Sequence, residues 1–171
     1  KIEMILSLFM VLGALPMTFY VTLWQNRGLN SFRTPQVMFF LKIVAICIFL
    51  MTVWLLYSGK YGLFGALRYS IFNIISIITT TGYFSADYLS WGSFAVVMFF
   101  LISFSGGCTG STTGSIKVFR WEIIFAYMRR NLISASEPKR VLPVKIDDKT
   151  VSESVISSVY IYISAFVLTM V

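Results

Sequence analysis

The sequence predicts an all-α integral membrane fold, in which full-length spans alternate with one short helix and a loop that re-enters the bilayer. Three observations support this fold. Hydrophobic residues make up 57% of the chain and charged residues only 12%, about half the charged fraction of an average soluble domain. Long apolar runs are also separated by one run that is too short to cross a bilayer.

The first two predicted spans occupy residues 1–24 and 37–57, and a loop at residues 25–36 joins them. Gly13 and Pro16 are expected to bend the first span, which membrane helices tolerate because neighbouring groups satisfy the freed backbone. At about 1.5 Å per residue, the length of the second span matches a hydrocarbon core of roughly 30 Å.

The next apolar run, residues 66–78, has about 13 residues and falls below the roughly 17 needed to cross a bilayer. It is therefore predicted to be a re-entrant pore helix. Three threonines and then Gly82 follow it, within residues 79–84. Threonine continues a helix poorly, and glycine permits backbone angles that are closed to other residues. We therefore expect irregular backbone here, which at membrane depth is tolerated where it lines a watery cavity.

Residues 79–84, the filter segment, are thus a candidate ion-selectivity filter, since exposed carbonyls in such a place replace the water shell of a potassium ion. An ordinary surface turn is the alternative, and the position between a half-span and a returning span favours the filter. Potassium would bind at Thr80, Thr81 and Gly82, with the Tyr83 side chain packing outward as a buttress. The candidate ion-binding residues are Thr79, Thr80, Thr81, Gly82 and Tyr83.

The returning span, residues 91–132, is interrupted by ten residues with four glycines and five hydroxyl side chains. Each glycine costs a helix interior up to about 1 kcal/mol relative to alanine, so a break is predicted. The pattern does not match a phosphate-binding loop, because no glycine is followed at the required distance by glycine and lysine. This glycine segment consists of Gly106, Gly107, Cys108, Thr109, Gly110, Ser111, Thr112, Thr113, Gly114 and Ser115.

A charged linker follows at residues 133–150, and residues 151–171 open another apolar span. Eleven basic residues lie in residues 25–42 and 116–150, against two in residues 58–90. Cytoplasmic loops carry the excess of lysine and arginine, so the mouth of the filter is expected outside and both basic loops in the cytoplasm. This clustering beside apolar spans, despite a net charge of +7, argues against a nucleic-acid partner.

Two motifs resemble the Trk/Ktr/HKT superfamily of potassium transporters, and within it the TrkH type. The first is the Thr-Thr-Thr-Gly-Tyr run with the following Ser-Ala-Asp-Tyr, and the second is the glycine segment with the basic helix start up to Arg120. The resemblance implies helix–pore loop–helix modules, four to a chain, around one pore with pseudo-four-fold symmetry. Residues 37–132 would be the complete third module, residues 1–24 the end of the second and residues 151–171 the start of the fourth.

The resemblance further implies potassium uptake across the inner, cytoplasmic membrane by a protein that is not an enzyme and carries no cofactor, potassium being the substrate. The filter glycine falls on Gly82, and the glycine segment would form a gate beneath it. The expected partners are membrane lipid, a second copy in a homodimer, and a cytosolic nucleotide-binding regulatory subunit of the TrkA/KtrA type. Compared with the Thr-Val-Gly-Tyr-Gly pattern of tetrameric channels, Thr81 replaces valine and Phe84 the last glycine, which suits fewer or looser ion sites.

Several alternatives stay open at this stage. A secondary transporter with broken helices, for another cation or solute, would normally require an ionisable residue inside its spans. A membrane enzyme is disfavoured because the chain has no histidine, and a structural subunit would leave the filter segment unexplained. Close packing of small residues is the alternative to a gate for the glycine segment. Lys1 and Val171 do not resemble natural ends, and we expect a longer protein.

Three charged residues also admit two interpretations each. Lys117 and Arg120 either sense the glycine segment or a partner, or anchor the restarting helix at the cytoplasmic surface, and the anchor is favoured. Asp87 either concentrates cations at the outer mouth or caps the helix that follows it. Neither Cys47 nor Cys108 is expected to form a disulfide or, without histidine, a zinc site.

Overall fold

The computed structural model describes residues 2–26, 34–136, 145–146 and 149–170. Within these ranges the regular elements are helices, except for one pair of two-residue strands in which β1 (Lys145–Ile146) pairs antiparallel with β2 (Lys149–Thr150). The helices are α1 (Ile2–Ala14), α2 (Met17–Asn26), α3 (Pro35–Tyr57), α4 (Leu63–Ile78), a 3-10 helix (Tyr88–Trp91), α5 (Ser93–Ser103), α6 (Val118–Ser136) and α7 (Glu153–Met170).

The predicted loops are only partly covered. Four of the basic residues used to predict the orientation, Arg27, Arg33, Lys139 and Arg140, lie outside the described residues. The chain divides into two compact units, Lys1–Val118 and Phe119–Val171. Each unit is described by itself below.

The first predicted span is two helices rather than one. The α1 and α2 axes meet at 89°, a much sharper bend than a simple curvature of one span. The cause is Pro16, which has no N–H to donate and disfavours a helical conformation in the residue before it. Leu15 at the corner is buried, and the Leu12 carbonyl accepts hydrogen bonds from the Leu15 N–H at 3.1 Å and from the Tyr20 hydroxyl.

One helix of the described ranges, α3, is by itself long and apolar enough to cross a membrane. Its 23 residues span about 34 Å. By length and composition the bent pair of α1 and α2 would form a second span if taken together. Pro35 occupies the first turn of α3, where its missing N–H costs nothing.

Helix α4 begins at Leu63, three residues before the predicted start, and has 16 residues, a length of about 24 Å. It therefore remains shorter than the hydrocarbon core. α4 packs against α1, α3 and α5, and its residues Ala66, Ile74 and Ile78 are buried. Near its start, the Arg68 guanidinium forms two hydrogen bonds to the Glu3 carboxylate of α1, Nε to Oε2 at 2.6 Å and Nη2 to Oε1 at 2.9 Å.

The segment between the filter segment and α5 is held against α3. The Trp54 indole donates to the Trp91 carbonyl at 2.9 Å, and the Lys60 ammonium donates to the Ser90 carbonyl. The Asp87 carboxylate accepts from the Leu89 N–H at 3.1 Å and so caps the 3-10 helix. Of the two interpretations of Asp87, helix capping is therefore observed. The capped helix is the 3-10 helix and not the returning span that follows it.

The second unit contains α6 and α7, which pack through Ile123, Ile156 and Val159. The Arg120 guanidinium lies 3.7 Å from the centre of the Tyr162 ring, a cation–π contact that fixes this side chain on α7. α6 continues to Ser136, four residues into the predicted linker.

Candidate functional site

The filter segment begins where α4 ends, and the helix end has a defined hydrogen-bond pattern. The Thr81 N–H donates to the Ser76 carbonyl at 2.9 Å, and the Thr80 N–H donates to the Ile77 carbonyl at 2.9 Å. These two bonds form a Schellman motif, which ends a helix with one left-handed residue. That residue is Thr80, with φ 56°. The Thr79 hydroxyl, bound to the Ile75 carbonyl at 2.7 Å, completes the cap.

Backbone handedness alternates along the filter segment. Thr79 has φ −85°, Thr80 has φ 56° and Gly82 has φ 80°. Left-handed backbone is rare for a β-branched residue such as Thr80. In an ordinary strand successive groups point to opposite faces, whereas alternating right- and left-handed residues turn successive N–H groups toward one side. Here the Thr81 and Gly82 N–H groups both donate to the Ser76 carbonyl. Because the N–H and C=O of one planar trans peptide point in opposite directions, the Thr80 and Thr81 carbonyls point away from Ser76 and are placed together on the side where an ion would approach.

Exposure changes abruptly at the start of the filter segment. Thr79 is buried, whereas residues 80–84 are all exposed. The Tyr83 ring, expected to pack as a buttress, is 62% exposed, and Phe84 is 73% exposed. Among the residues that the structure describes, the support of the filter segment thus comes from polar contacts rather than from the Tyr83 ring.

One such support was missed by sequence reasoning. Asn73, in the middle of α4, is buried, and its Oδ1 accepts from the Ser85 N–H at 3.3 Å. Its Nδ2 donates to the Tyr69 carbonyl at 2.8 Å and lies 3.4 Å from the Ser85 hydroxyl. Asn73 therefore ties the outer end of the filter segment back to the pore helix. The available signal was a lone amide within an apolar helix.

The glycine segment is an ordered lobe and not an open coil. Its two ends pair as a parallel bridge between Ser105 and Ile116, in which the Gly106 N–H donates to the Ile116 carbonyl at 2.9 Å. A Cβ atom on Gly106 would lie 2.1 Å from the Gly114 carbonyl oxygen. Glycine is required at this position because two backbone segments pass too closely for any side chain.

The lobe docks on the break between α1 and α2. The Cys108 N–H donates to the Ala14 carbonyl at 3.0 Å, the Thr112 N–H to the Gly13 carbonyl at 3.4 Å, and the Met17 N–H to the Gly110 carbonyl at 3.1 Å. A broken helix leaves such groups without intrahelical partners, and the glycine segment supplies partners for them. The helix break at Pro16 and the glycine segment thus satisfy each other's backbone hydrogen-bonding groups.

The Lys117 ammonium contacts the glycine segment, as the less favoured of its two interpretations expects, and its role as an anchor at the membrane surface stays a prediction. Its Nζ donates to the Ser111 carbonyl at 3.1 Å and to the Thr113 carbonyl. It also lies 3.2 Å from the Thr113 hydroxyl. The same hydroxyl accepts from the Gly107 N–H at 2.8 Å, so the ammonium and the lobe backbone share one polar network.

The filter segment and the glycine segment are in direct contact. The Gly114 N–H donates to the Thr80 Oγ1 at 2.8 Å, across a sequence separation of 34 residues. The structure therefore brings together the two motifs that the sequence singled out, Thr79 to Tyr83 at the end of α4 and Gly106 to Ser115 before α6.

Comparison with known proteins identifies the family of this chain. A family model described as TrkH, cation transport protein, matches residues 1–171. The chain belongs to the TrkH family. This membership confirms the resemblance inferred from the two motifs, and with it the all-α membrane fold built from helix–pore loop–helix modules.

Several TrkH-family relatives can be compared over nearly the whole chain. The Trk system potassium uptake protein TrkI of Halomonas elongata is 33% identical over 163 residues, which are 95% of this chain and 33% of that protein. TrkG of Escherichia coli is 30% identical over 168 residues, 98% of this chain and 35% of that protein. The crystal structure of the potassium transporter TrkH from Vibrio parahaemolyticus superposes with a TM-score of 0.92 at 26% identity, covering 98% of this chain and 36% of that one. The chain thus spans about a third of the length of these relatives.

Proposed function

We propose that this segment forms one quarter of a potassium-selective pathway in a membrane transporter that takes up potassium. The observation that carries the proposal is the alternating backbone of the filter segment, left-handed at Thr80 and Gly82, on an exposed stretch at the end of a half-length helix. The similarity to relatives named as potassium uptake proteins supports the choice of ion.

In this mechanism the backbone carbonyls of Thr80, Thr81 and Gly82, with Thr79 at the inner end, replace water around the ion. Oxygen dipoles that are held in position before the ion arrives avoid the cost of being ordered when it binds. Asn73 fixes the outer end of the segment and the contact with Gly114 fixes the inner end. Corresponding loops of three further modules would complete the ring, since one quarter cannot enclose an ion.

The glycine segment is proposed to be the gate. It contacts the inner end of the filter segment through Gly114. Its attachment combines hydrogen bonds, each with a net contribution of about 1 kcal/mol, with the fully buried side chain of Cys108, and opening would break these hydrogen bonds. The Lys117 ammonium contributes a positive charge to the hydrogen-bond network of the lobe.

The alternative of a secondary transporter with broken helices finds less support. Such proteins bind solute at the free ends of half-helices, and the right angle between α1 and α2 is a candidate for such a place. However, the groups at this corner are engaged, because Gly13, Ala14 and Met17 form hydrogen bonds with the glycine segment. No backbone group among these three is available to hold a solute in this conformation.

The same proposal covers orientation and assembly. The filter mouth faces outward and residues 25–36 and 133–150 face the cytoplasm, in the inner, cytoplasmic membrane. The protein works as a homodimer surrounded by lipid, with a cytosolic nucleotide-binding subunit as its regulator. These assignments rest on the distribution of basic residues and on membership of the TrkH family.

The deciding experiment is rubidium uptake by the intact protein in proteoliposomes, with potassium, sodium and lithium as competitors. Competition by potassium far above sodium is the expected result. Equal competition would retain a pore but contradict potassium selectivity, and the absence of rubidium flux under any gradient would contradict the pore itself.

A deletion of residues 109–112 should raise the rubidium flux if the glycine segment is a gate. Loss of flux in a normally folded deletion variant would instead favour simple packing.

A further inference from the structure

A single peptide group connects Lys117 to the filter segment. The carbonyl of Thr113 accepts a hydrogen bond from the Lys117 ammonium. The N–H of the same peptide group, which belongs to Gly114, donates to the Thr80 Oγ1 at 2.8 Å. The two ends of one peptide plane are thus held by a cation on one side and by a filter hydroxyl on the other.

This arrangement has an electrostatic consequence. A cation on the carbonyl oxygen polarises the peptide and makes its N–H a stronger donor, and hydrogen bonds in such chains strengthen one another where water is excluded. Thr113 is buried and Lys117 is half-buried, whereas Gly114 and Thr80 are exposed, so the Lys117 end of this chain of bonds is shielded from solvent and the Thr80 end is in contact with it. The bond to Thr80 should therefore depend on the charge of Lys117.

Thr80 is the position where this dependence matters. It is β-branched and left-handed, with φ 56°, a conformation that costs an L-residue about 1–2 kcal/mol. Its hydroxyl contact with Gly114 is one of the interactions that hold it there. Weakening that contact would allow Thr80 to relax and would displace its carbonyl and that of Thr81.

We propose that Lys117 is a positioning residue of the ion filter, acting through the peptide between Thr113 and Gly114 on Thr80. The inference rests on the proposed function, because it assigns a further residue to the same pathway. It also links the gate to the filter, since a movement of the glycine segment that takes Gly114 away from Thr80 would change the filter at the same time.

The test is a double-mutant cycle in the intact protein, with Lys117→Met and Thr80→Val alone and together. Thr80→Val keeps the β-branched shape and removes the acceptor, and Thr80→Ser keeps the acceptor. The readout is the ratio of potassium to sodium competition for rubidium uptake. Each single change should lower the ratio by about fivefold, the equivalent of one net hydrogen bond, and the double variant should lower it no further. Thr80→Ser should retain most of the preference.

The control is Arg129→Met, which removes the same charge from an exposed position of α6 and should leave the ratio unchanged. If Lys117→Met does not fold, Lys117→Gln, which retains a polar donor without charge, takes its place in the cycle. Multiplicative effects of the two changes, or a ratio unaffected by either one, would overturn the proposal.

A second readout separates this proposal from the proposed function. If the unmodified protein does not prefer potassium over sodium, the proposed function fails. The midpoints of thermal unfolding are then compared for the unmodified protein, Lys117→Met, Thr80→Val and the double variant. Coupled residues give non-additive shifts of the midpoint. Additive shifts would overturn the link between Lys117 and Thr80, and non-additive shifts would support it.

Discussion

At the scale of single residues, the filter segment depends on left-handed backbone rather than on crowding. A Cβ atom on Gly82 would meet no atom within 4 Å, although the residue has φ 80°. A side chain at this position therefore fits in space but strains the backbone, by about 1–2 kcal/mol for an L-residue. The same holds for Gly59 in the turn between α3 and α4, which has φ 66° and equally open surroundings.

This pair of glycines gives a matched prediction. Gly82→Ser should lower the potassium over sodium preference of rubidium uptake, because the strained residue relaxes and moves its carbonyl. Gly59→Ala carries a similar backbone cost outside the filter segment and should leave the preference unchanged. An unchanged preference in Gly82→Ser would remove this residue from the filter.

Gly107 shows the opposite constraint. Its φ is unremarkable, but a Cβ atom would lie 2.7 Å from the Thr113 Oγ1 and 2.8 Å from the Ala14 carbonyl oxygen. The second of these atoms is backbone and cannot turn away. The glycine segment can therefore dock on α1 only if this position has no side chain.

Gly107→Ala should accordingly push the glycine segment away from α1. We expect a loss of about 1–3 kcal/mol, as for other overpacked sites, read as a lower midpoint of thermal unfolding, together with a higher rubidium flux from a loosened gate. Gly62→Ala, at an open position, is the control and should change neither quantity appreciably. A normal midpoint in Gly107→Ala would contradict the docked position of the lobe.

At the scale of elements, the filter segment is tethered by the helix that precedes it. α4 provides the Schellman end at Thr80 and, about two turns further back, the Asn73 amide that holds Ser85. The exit of the segment is then fixed to α3 by Trp54. A re-entrant helix and its loop thus behave as one unit, because the polar groups of the loop are satisfied by the helix itself.

The hydrogen bond from the Ser85 N–H to Asn73 can be removed with Asn73→Leu, because leucine is close to asparagine in shape but cannot accept a hydrogen bond. We expect a destabilisation of about 1–3 kcal/mol, the cost of an unpaired buried group, and a reduced preference for potassium. Ser85→Ala removes only the 3.4 Å contact with Nδ2 and leaves the backbone bond in place, so its effect should be small. Equal effects of the two variants would show that Asn73 does not act through that bond.

At the scale of the whole molecule, the prediction concerns orientation. With Cys47 and Cys108 replaced, a cysteine at Lys60 should react with a membrane-impermeant thiol reagent from outside the cell, and one at Lys139 only after the membrane is opened. The physical reason is the excess of lysine and arginine retained in the cytoplasm. Labelling of Lys139→Cys in intact cells would reverse the proposed orientation of the filter.

Much of the architecture follows from local sequence. The half-length of α4, the threonines and Gly82 after it, and the cluster of small residues before α6 predicted the pore helix, the irregular segment and the broken return, because length and backbone propensity are local properties. Helix ends differ from the prediction by a few residues, for example at Leu63 and at Val118. The near right angle at Pro16 exceeded the expected bend, because its size depends on what fills the corner.

Tertiary structure alone decided which groups meet. Lys117, which by sequence suits a surface anchor, binds the carbonyls of Ser111 and Thr113, and Asn73, which carried no motif, holds Ser85. Hydrogen bonds between residues distant in sequence leave no periodic trace, since any polar side chain of suitable length can make them. The sequence by itself therefore determined the membrane fold and the positions of the two candidate functional segments. The folded chain determined the contacts that support these segments, because those contacts depend on distances that only folding creates.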